Sequence, residues 1–435
     1  MTDTAIGIIA LVAMFALMLV RTPVGLAMLI AGFFGTWALG SFRSASALLI
    51  SETYSATTNY SLTVMPLFIL MGNVSSAAGF SRRLYEAAFA WVGKLRGGLA
   101  SASVLGCAAF SAVSGSSVAT AVTIGRVALP EMKRFGYGDS LSTGSIAAGG
   151  TLGFLIPPST GFVIYAILTE ESIGKLFMAG ILPGLLLTGL FIATIWLVVR
   201  LKPGEAPQLE EREESARRLL ALARAAPLLV IIVISIGGIY LGVFTPVEAA
   251  GVGAVLVILM AVLGRKISLA AFGETLMESI RTSSMLYLII IGASVLNPFL
   301  ALTHIPSALG DTLSSAGLGP YAMLALIVVA YLMLGMFMDG LAMLVVTVPI
   351  VFPLLTSAGF DPIWLGVAIV ILIEMSMITP PVGLNVFVVK SAAPDVPIVR
   401  IFRGVMPFWI AMMLCLVLLV LFPGLALLIP NSMFG

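Results

Sequence analysis

Apolar runs long enough to cross a lipid bilayer recur along the whole chain, at 5–20, 23–40, 61–79, 140–168, 176–199, 227–243, 247–263, 282–302, 363–389 and 404–429. Roughly 17–25 residues make one crossing, and tilt or a helix break widens that range. No other feature limits the fold so strongly. Hydrocarbon offers no water to a backbone N–H or C=O, so each run must close its own hydrogen bonds, and an α-helix does so within a single segment. An all-α polytopic membrane protein is the expected class. Composition agrees, because 60% hydrophobic and 10% charged residues leave too little polar surface for a soluble domain of 435 residues. The net charge of +2 gives no footing to a nucleic-acid partner. A single histidine, His304, excludes a histidine-built metal centre, and Cys107 and Cys415 read as small buried hydrophobes rather than a disulfide.

The first run carries Asp3 ahead of it and Arg21 behind it, the reverse of a secretion signal, so it is a retained span with its N-terminus outside. Two other apolar stretches, 97–130 and 320–353, each hold two short helices around a polar centre, Ser114-Gly115-Ser116-Ser117 and Met338-Asp339-Gly340. They read as re-entrant hairpins, whose irregular backbone survives at depth only against protein or a polar cavity. Threading the chain on this plan puts Arg82, Arg83, Lys94, Arg96, Lys133, Arg134, Arg200, Lys202, Arg212, Arg217, Arg218, Arg224, Arg265, Lys266, Lys390, Arg400 and Arg403 on one side. Arg43 and Lys175 fall on the other, so the positive-inside rule is met and both termini are expected in the periplasm of a bacterial inner-membrane protein. The charged segment 201–226 is a cytoplasmic linker, expected to be helical from Gln208. Ser44 to Tyr60 and Ile267 to Arg281 are too polar to span and read as helices lying along the membrane surface.

The two halves repeat in one register. Thr22-Pro23-Val24 returns as Thr245-Pro246-Val247, Pro130 as Pro353, Gly136 as Gly359, and Pro157-Pro158 as Pro380-Pro381, each 223 positions on (245 − 22, 380 − 157). The same shift lays the tip Ser114 to Thr120 on Phe337 to Met343, and one inserted residue brings Gly180 to Pro183 onto Gly404 to Pro407. Each half, 1–200 and 227–435, then has five crossings and one hairpin. An odd number of crossings inverts the second half, and inverted repeats with broken helices are the plan of secondary transporters.

The breaks are Gly153-Phe154-Leu155-Ile156-Pro157-Pro158-Ser159 and Ile378-Thr379-Pro380-Pro381-Val382-Gly383-Leu384-Asn385. A proline pair removes two donors and leaves upstream carbonyls without helical partners. Exposed carbonyls beside hydroxyls suit a small hard cation such as sodium, whereas half-helix N-termini favour an anion. Proline alone would also give a plain kink, but a tip facing a break in both halves points to two related sites. Ser114, Ser116 and Ser117 read equally as ligands or as packing surface. A carboxylate at the Asp339 tip costs roughly 2.5–3.5 kcal/mol on insertion scales, so it requires a polar cavity and a partner. Glu374 and Arg126 remain open between substrate contact, proton site and structural ion pair, and Arg126 could instead snorkel to the membrane edge. Val113-Ser114-Gly115 also fits the nucleophile of an intramembrane protease, but His304, the sole histidine, falls in an external loop and supplies no base. A channel would need a continuous polar pore, and few spans have a polar face.

At Met65-Pro66-Leu67-Phe68-Ile69-Leu70-Met71-Gly72, Ser114-Gly115-Ser116-Ser117-Val118-Ala119-Thr120 and Ile156-Pro157-Pro158-Ser159 the chain resembles the large membrane subunit of tripartite ATP-independent periplasmic (TRAP) transporters. Thr245-Pro246-Val247-Glu248-Ala249-Ala250, Gly335-Met336-Phe337-Met338-Asp339 and Thr379-Pro380-Pro381-Val382-Gly383 extend the resemblance over essentially the whole length. It implies sodium-driven import of an organic acid such as a dicarboxylate or sialic acid. It also implies two partners: a periplasmic solute-binding protein and a small membrane subunit, expected as a separate polypeptide because no extra amino-terminal spans precede the repeat. An elevator movement follows from it too, with transport elements at 61–168 and 282–389 moving past scaffold helices at 1–60 and 227–281. Carried over position by position, one sodium site would involve Ser114, Ser116, Gly153, Ile156 and Pro158, and a second Gly335, Met338, Thr379, Pro381 and Gly383. Ser116, Ser159 and Asp339 would contact substrate. A self-sufficient carboxylate carrier of related fold, coupled to sodium or protons, is the alternative.

Overall fold

Every regular element is a helix among residues 2–207, 215–315, 317–336 and 338–433, which the computed structural model describes. The first half runs α1 (Asp3–Leu19), α2 (Val24–Leu39), α3 (Phe42–Thr58), α4 (Val64–Ala77), α5 (Phe80–Val92), α6 (Gly98–Ser114), α7 (Ser117–Arg134), α8 (Asp139–Leu155), α9 (Thr160–Thr169) and α10 (Ile173–Leu201). The second runs α11 (Ser215–Tyr240), α12 (Pro246–Leu263), α13 (Leu269–Leu302), α14 (Ile305–Ser315), α15 (Pro320–Leu334), α16 (Gly340–Ser357), α17 (Pro362–Ser376), α18 (Leu384–Ala392), α19 (Ile398–Leu421) and α20 (Gly424–Ser432). Among the described residues, eight helical segments are long and apolar enough to cross a membrane, and α1, α2, α6, α15 and α17 are apolar but shorter.

The register found in the sequence is that of the helices. Both ends of α7 lie 223 positions before those of α16 (340 − 117, 357 − 134), and α8 and α17 start at the same interval (362 − 139). Local chemistry fixes the boundaries. Thr245 and Glu248 cap α12 reciprocally, Thr245 Oγ1 accepting from the Glu248 N–H at 3.3 Å and Glu248 Oε2 from the Thr245 N–H at 2.8 Å. Asp361 accepts from the N–H groups of Ile363 and Trp364, and Pro362 occupies the first position of α17, where its missing donor costs nothing.

The structure departs from expectation in four places. Ile267 to Arg281 is not a separate surface helix, because it continues without a break into the following span as α13, which is 34 residues long. Its counterpart is divided as expected, since α3 stops at Thr58 and Asn59 opens a short 3-10 turn over Tyr60–Thr63 by accepting from the Ser61 N–H. The amphipathic helices α5 and α14, too polar to read as spans, follow α4 and α13. The run at 404–429 divides at Pro423 into α19 and α20: the ring cannot donate to the Leu419 carbonyl, which Trp364 Nε1 takes instead at 3.0 Å. Gln208, where the linker helix was expected to start, lies outside the described residues, as does Phe337 at the second tip.

Glycines let the two halves meet closely. A Cβ on Gly32 would stand 2.8 Å from the Val295 carbonyl oxygen, and one on Gly292 would overlap that of Gly25, so α2 and α13 touch backbone to backbone. Gly144 and Gly404 do the same for α8 and α19. Without a hydrophobic drive between helices in lipid, such close approach is what holds them. The core is continuous, with Phe162, Tyr165, Phe177, Phe191, Phe299 and Phe408 fully buried in it.

Candidate solute and cation site

Each hairpin tip is pressed onto the helix break of its own half. In the first half α6 ends at Ser114, Gly115 turns the chain with φ +61°, and Ser116 caps α7 by accepting from the Ala119 N–H. The Gly115 carbonyl receives both the N–H (3.2 Å) and the hydroxyl (2.9 Å) of Thr160, so the tip is tied to the first turn of α9. A Cβ on Gly115 would stand 2.6 Å from the Pro158 carbonyl oxygen, and one on Gly153 would overlap the Ser116 carbonyl. Ser114, Ser116, Gly153 and Pro158 are therefore brought together, and Ile156, which ends α8, lies between the last two.

The prolines decide which oxygens are free there. Pro157 and Pro158, joined by a cis bond, cannot donate to the carbonyls four residues back, Gly153 and Phe154. Ser159 Oγ takes over the Phe154 carbonyl in a short hydrogen bond, and no backbone N–H replaces Pro157 at Gly153. Ser159 also caps α9, accepting from the Phe162 N–H at 3.3 Å. Ser114 Oγ lies 2.8 Å from Thr120 Oγ1. The first break is thus buried apart from the half-buried Ile156, and the Gly153 carbonyl is among those that no donor claims.

The second half repeats the plan with different exposure. A Cβ on Gly335 would collide with the Ser376 side chain, and one on Gly340 would meet Met377 Sδ at 3.0 Å, so tip and break again touch. Met338 precedes Asp339, which caps α16 with Oδ1 accepting from Leu341 (3.0 Å) and Ala342 (3.1 Å). Asp339 is the repeat partner of Ser116 (339 − 116), and both serve as N-caps. Thr379 Oγ1 donates to the Met375 carbonyl at 2.7 Å and accepts from Trp409 Nε1 at 3.0 Å. Gly383, with φ +57°, brings the carbonyls of Met377 and Thr379 within 3.3 Å of where a Cβ would sit. Pro380, Pro381 and Val382 are exposed, whereas Pro157, Pro158 and Ser159 are buried. Asp339 makes no hydrogen bond to Ser116 or Ser159, so the three expected substrate contacts are not joined directly.

The halves also interlock. Arm α7 packs on α18 and arm α16 on α9, each hairpin gripping the post-break helix of the other repeat. Glu374, fully buried on α17, accepts from Ser117 Oγ at 2.5 Å, and its second oxygen has no partner. Asn385 on α18 is buried with both side-chain polar atoms unpaired. The Glu374 partner was not visible in the sequence, where Asn385 stood only as the end of the second break. Arg126 is exposed on α7. Among the described residues no group of three or more His, Cys, Asp or Glu converges, so a cation held here would rest mainly on neutral oxygens.

Residues 11–425 match the family described as "Tripartite ATP-independent periplasmic transporter, DctM component". The chain belongs to that family. Relatives of this DctM-family protein include the C4-dicarboxylate TRAP transporter large permease protein of Pseudomonas aeruginosa, 39% identical over 88% of this chain and 89% of that one. The sialic acid TRAP transporter large permease protein of Vibrio cholerae is 32% identical, covering 87% and 88%. The ectoine/5-hydroxyectoine permease of Ruegeria pomeroyi is 31% identical, covering 97% and 98%. Among solved structures the Alcanivorax borkumensis YdaH transporter shares the fold, with a TM-score of 0.64 at 15% identity over 89% of this chain and 90% of that one. A transporter component replaces the protease reading of Ser114, whose hydroxyl partner is Thr120 and not a base.

Proposed function

We propose that this DctM-family permease imports a small organic acid in symport with sodium, the acid being delivered by a periplasmic binding protein. The observation that carries the proposal is the tip-on-break pairing, present twice in inverted halves, with the Gly153 carbonyl deprived of its helical donor by Pro157. One sodium ion would rest on oxygens of Ser114, Ser116, Gly153, Ile156 and Pro158. A second would rest on those of Gly335, Met338, Thr379, Pro381 and Gly383. When bound, the ions supply positive charge at the two half-helix ends, where a carboxylate solute is otherwise held only by N-terminal dipoles. Ser116, Ser159 and Asp339 are assigned to the solute. An elevator movement of 61–168 and 282–389 against 1–60 and 227–281 would carry the site across the inner membrane, with both termini in the periplasm. A small membrane subunit completes the transporter, in keeping with the tripartite description of the family.

Uptake into proteoliposomes holding the chain with its small subunit tests this. Dicarboxylates, sialic acid and ectoine, named in the relatives, are offered with the binding protein, with and without an inward sodium gradient. Uptake needing both supports the proposal. Uptake with sodium but no binding protein would establish the self-sufficient carrier instead, and uptake indifferent to sodium would remove the cation sites.

A further inference from the structure

Between α10 and α19 runs a groove of about 850 Å³ that the solute site does not use. Along the bundle it is apolar, lined by Leu190, Leu197, Ile410 and Leu414, the last three exposed to about half their area or more. The helices are antiparallel, α10 finishing at Leu201 where α19 begins at Ile398, so their charged ends lie at one level. Arg400, Arg403 and Lys202 gather at that end, on the face the positive-inside reading turns to the cytoplasm.

The charges there do not cancel. Arg400 is engaged with Asp139 at 2.8 Å. Arg403 and Lys202 are exposed and make no ion pair among the described residues. Among the described residues Glu205 is the one carboxylate lining the groove, and it is tucked against Gly138. Among the described residues, two free cations against one carboxylate leave a net charge of about +1 at the mouth of an apolar slot, where the positive end of the α19 dipole and the negative end of the α10 dipole offset each other. Apolar length below a single positive charge complements a molecule with acyl chains and one negative headgroup. Basic pockets between membrane helices on the cytoplasmic side bind anionic lipid on these grounds.

We propose that this groove is a binding site for an anionic phospholipid, its phosphate at Arg403 and Lys202 and its acyl chains along α10 and α19. The site is independent of the solute and cation readings above, and its test does not involve transport. Native mass spectrometry of the full-length chain, released from mild detergent, compares phosphatidylglycerol with phosphatidylcholine of identical acyl chains. Retention should favour phosphatidylglycerol by about five-fold for each free cation engaged. Lys202→Gln with Arg403→Gln should bring the ratio near one, whereas Arg265→Gln with Lys266→Gln, exposed cations at the α12–α13 turn, should leave it unchanged. Ala193→Trp, which fills the exposed wall of the slot and spares the cations, should lower retention of both lipids. Equal retention of the two lipids, or equal loss in the control pair, overturns the proposal. So does the groove pair reducing recovery of the co-expressed small subunit with the lipid ratio unmoved, which would make the groove a subunit contact.

Discussion

Gly153→Ala is the smallest change that separates the first tip from the first break. The added methyl would stand 2.6 Å from the Ser116 carbonyl carbon and 2.8 Å from the Ser117 nitrogen, both backbone atoms that no rotamer change can move aside. Ordinary carbon contacts begin near 3.5 Å, so the tip must retreat by about 1 Å. Overpacking of this kind costs roughly 1–3 kcal/mol, partly offset by the roughly 1 kcal/mol that alanine gains over glycine within a helix. Stability should therefore fall only slightly. The cation should suffer more, because ligand distances tolerate about 0.2 Å and Ser116 would move several times that far. Loss of one good ligand should raise the sodium concentration for half-maximal uptake about tenfold or more, equivalent to about 1.4 kcal/mol of binding. The assay is initial uptake against external sodium in proteoliposomes, with the detergent thermal midpoint as the folding control. Gly106→Ala on α6 is the matched comparison, since its methyl meets Tyr85 at an ordinary 3.5 Å, and it should leave sodium dependence unchanged. A Gly153→Ala protein with wild-type sodium dependence would refute the reasoning.

Asp339→Asn keeps an oxygen able to cap α16, whereas Asp339→Ala removes the cap at about 1 kcal/mol. Both should abolish uptake while only Ala lowers the thermal midpoint, and uptake retained by Asn would confine Asp339 to capping. Glu374→Gln preserves an acceptor for Ser117 and should be near wild type in stability. Glu374→Ala strands that hydroxyl and should cost about 1–3 kcal/mol before any cavity is counted, read from the thermal midpoint, and equal midpoints would dismiss the contact. Gly292→Ala drives a methyl into the Gly25 carbonyl and should destabilise the α2–α13 crossing by about 1–3 kcal/mol. Gly237→Ala, with nothing within 4 Å, should be neutral or stabilising, and the reverse order would contradict the packing described.

The tips, breaks and turns were legible because proline and glycine dictate backbone shape locally, and their common register supplied the repeat. Span ends were less so. Nothing in Ile267 to Arg281 distinguishes a surface helix from the first turns of α13, where Ser279 accepts from Asn73 of α4 at 2.9 Å, a contact between distant parts of the chain. Helix α5 escaped because Arg82, Arg83 and Glu86 interrupt its apolar side chains, and the run left at 87–92 is too short to cross a membrane. In the site, single-residue chemistry could be read but pairing could not. Ser117 and Glu374 are 257 positions apart, and only the inverted assembly of the halves makes them partners. Thr160, which ties the Gly115 carbonyl, lies 45 positions from it within the same half, and only the seating of the tip on the break joins them.

A sodium titration of the thermal midpoint, with potassium at equal ionic strength as the control, tests most directly whether the paired tips and breaks bind the coupling ion. A ligand at about 100 times its dissociation constant stabilises the folded state by about 2.7 kcal/mol per site. The midpoint should rise with sodium and not with potassium, and Gly153→Ala should retain only part of the rise, since the second site is intact. Identical curves for the two ions would contradict sodium binding at these breaks.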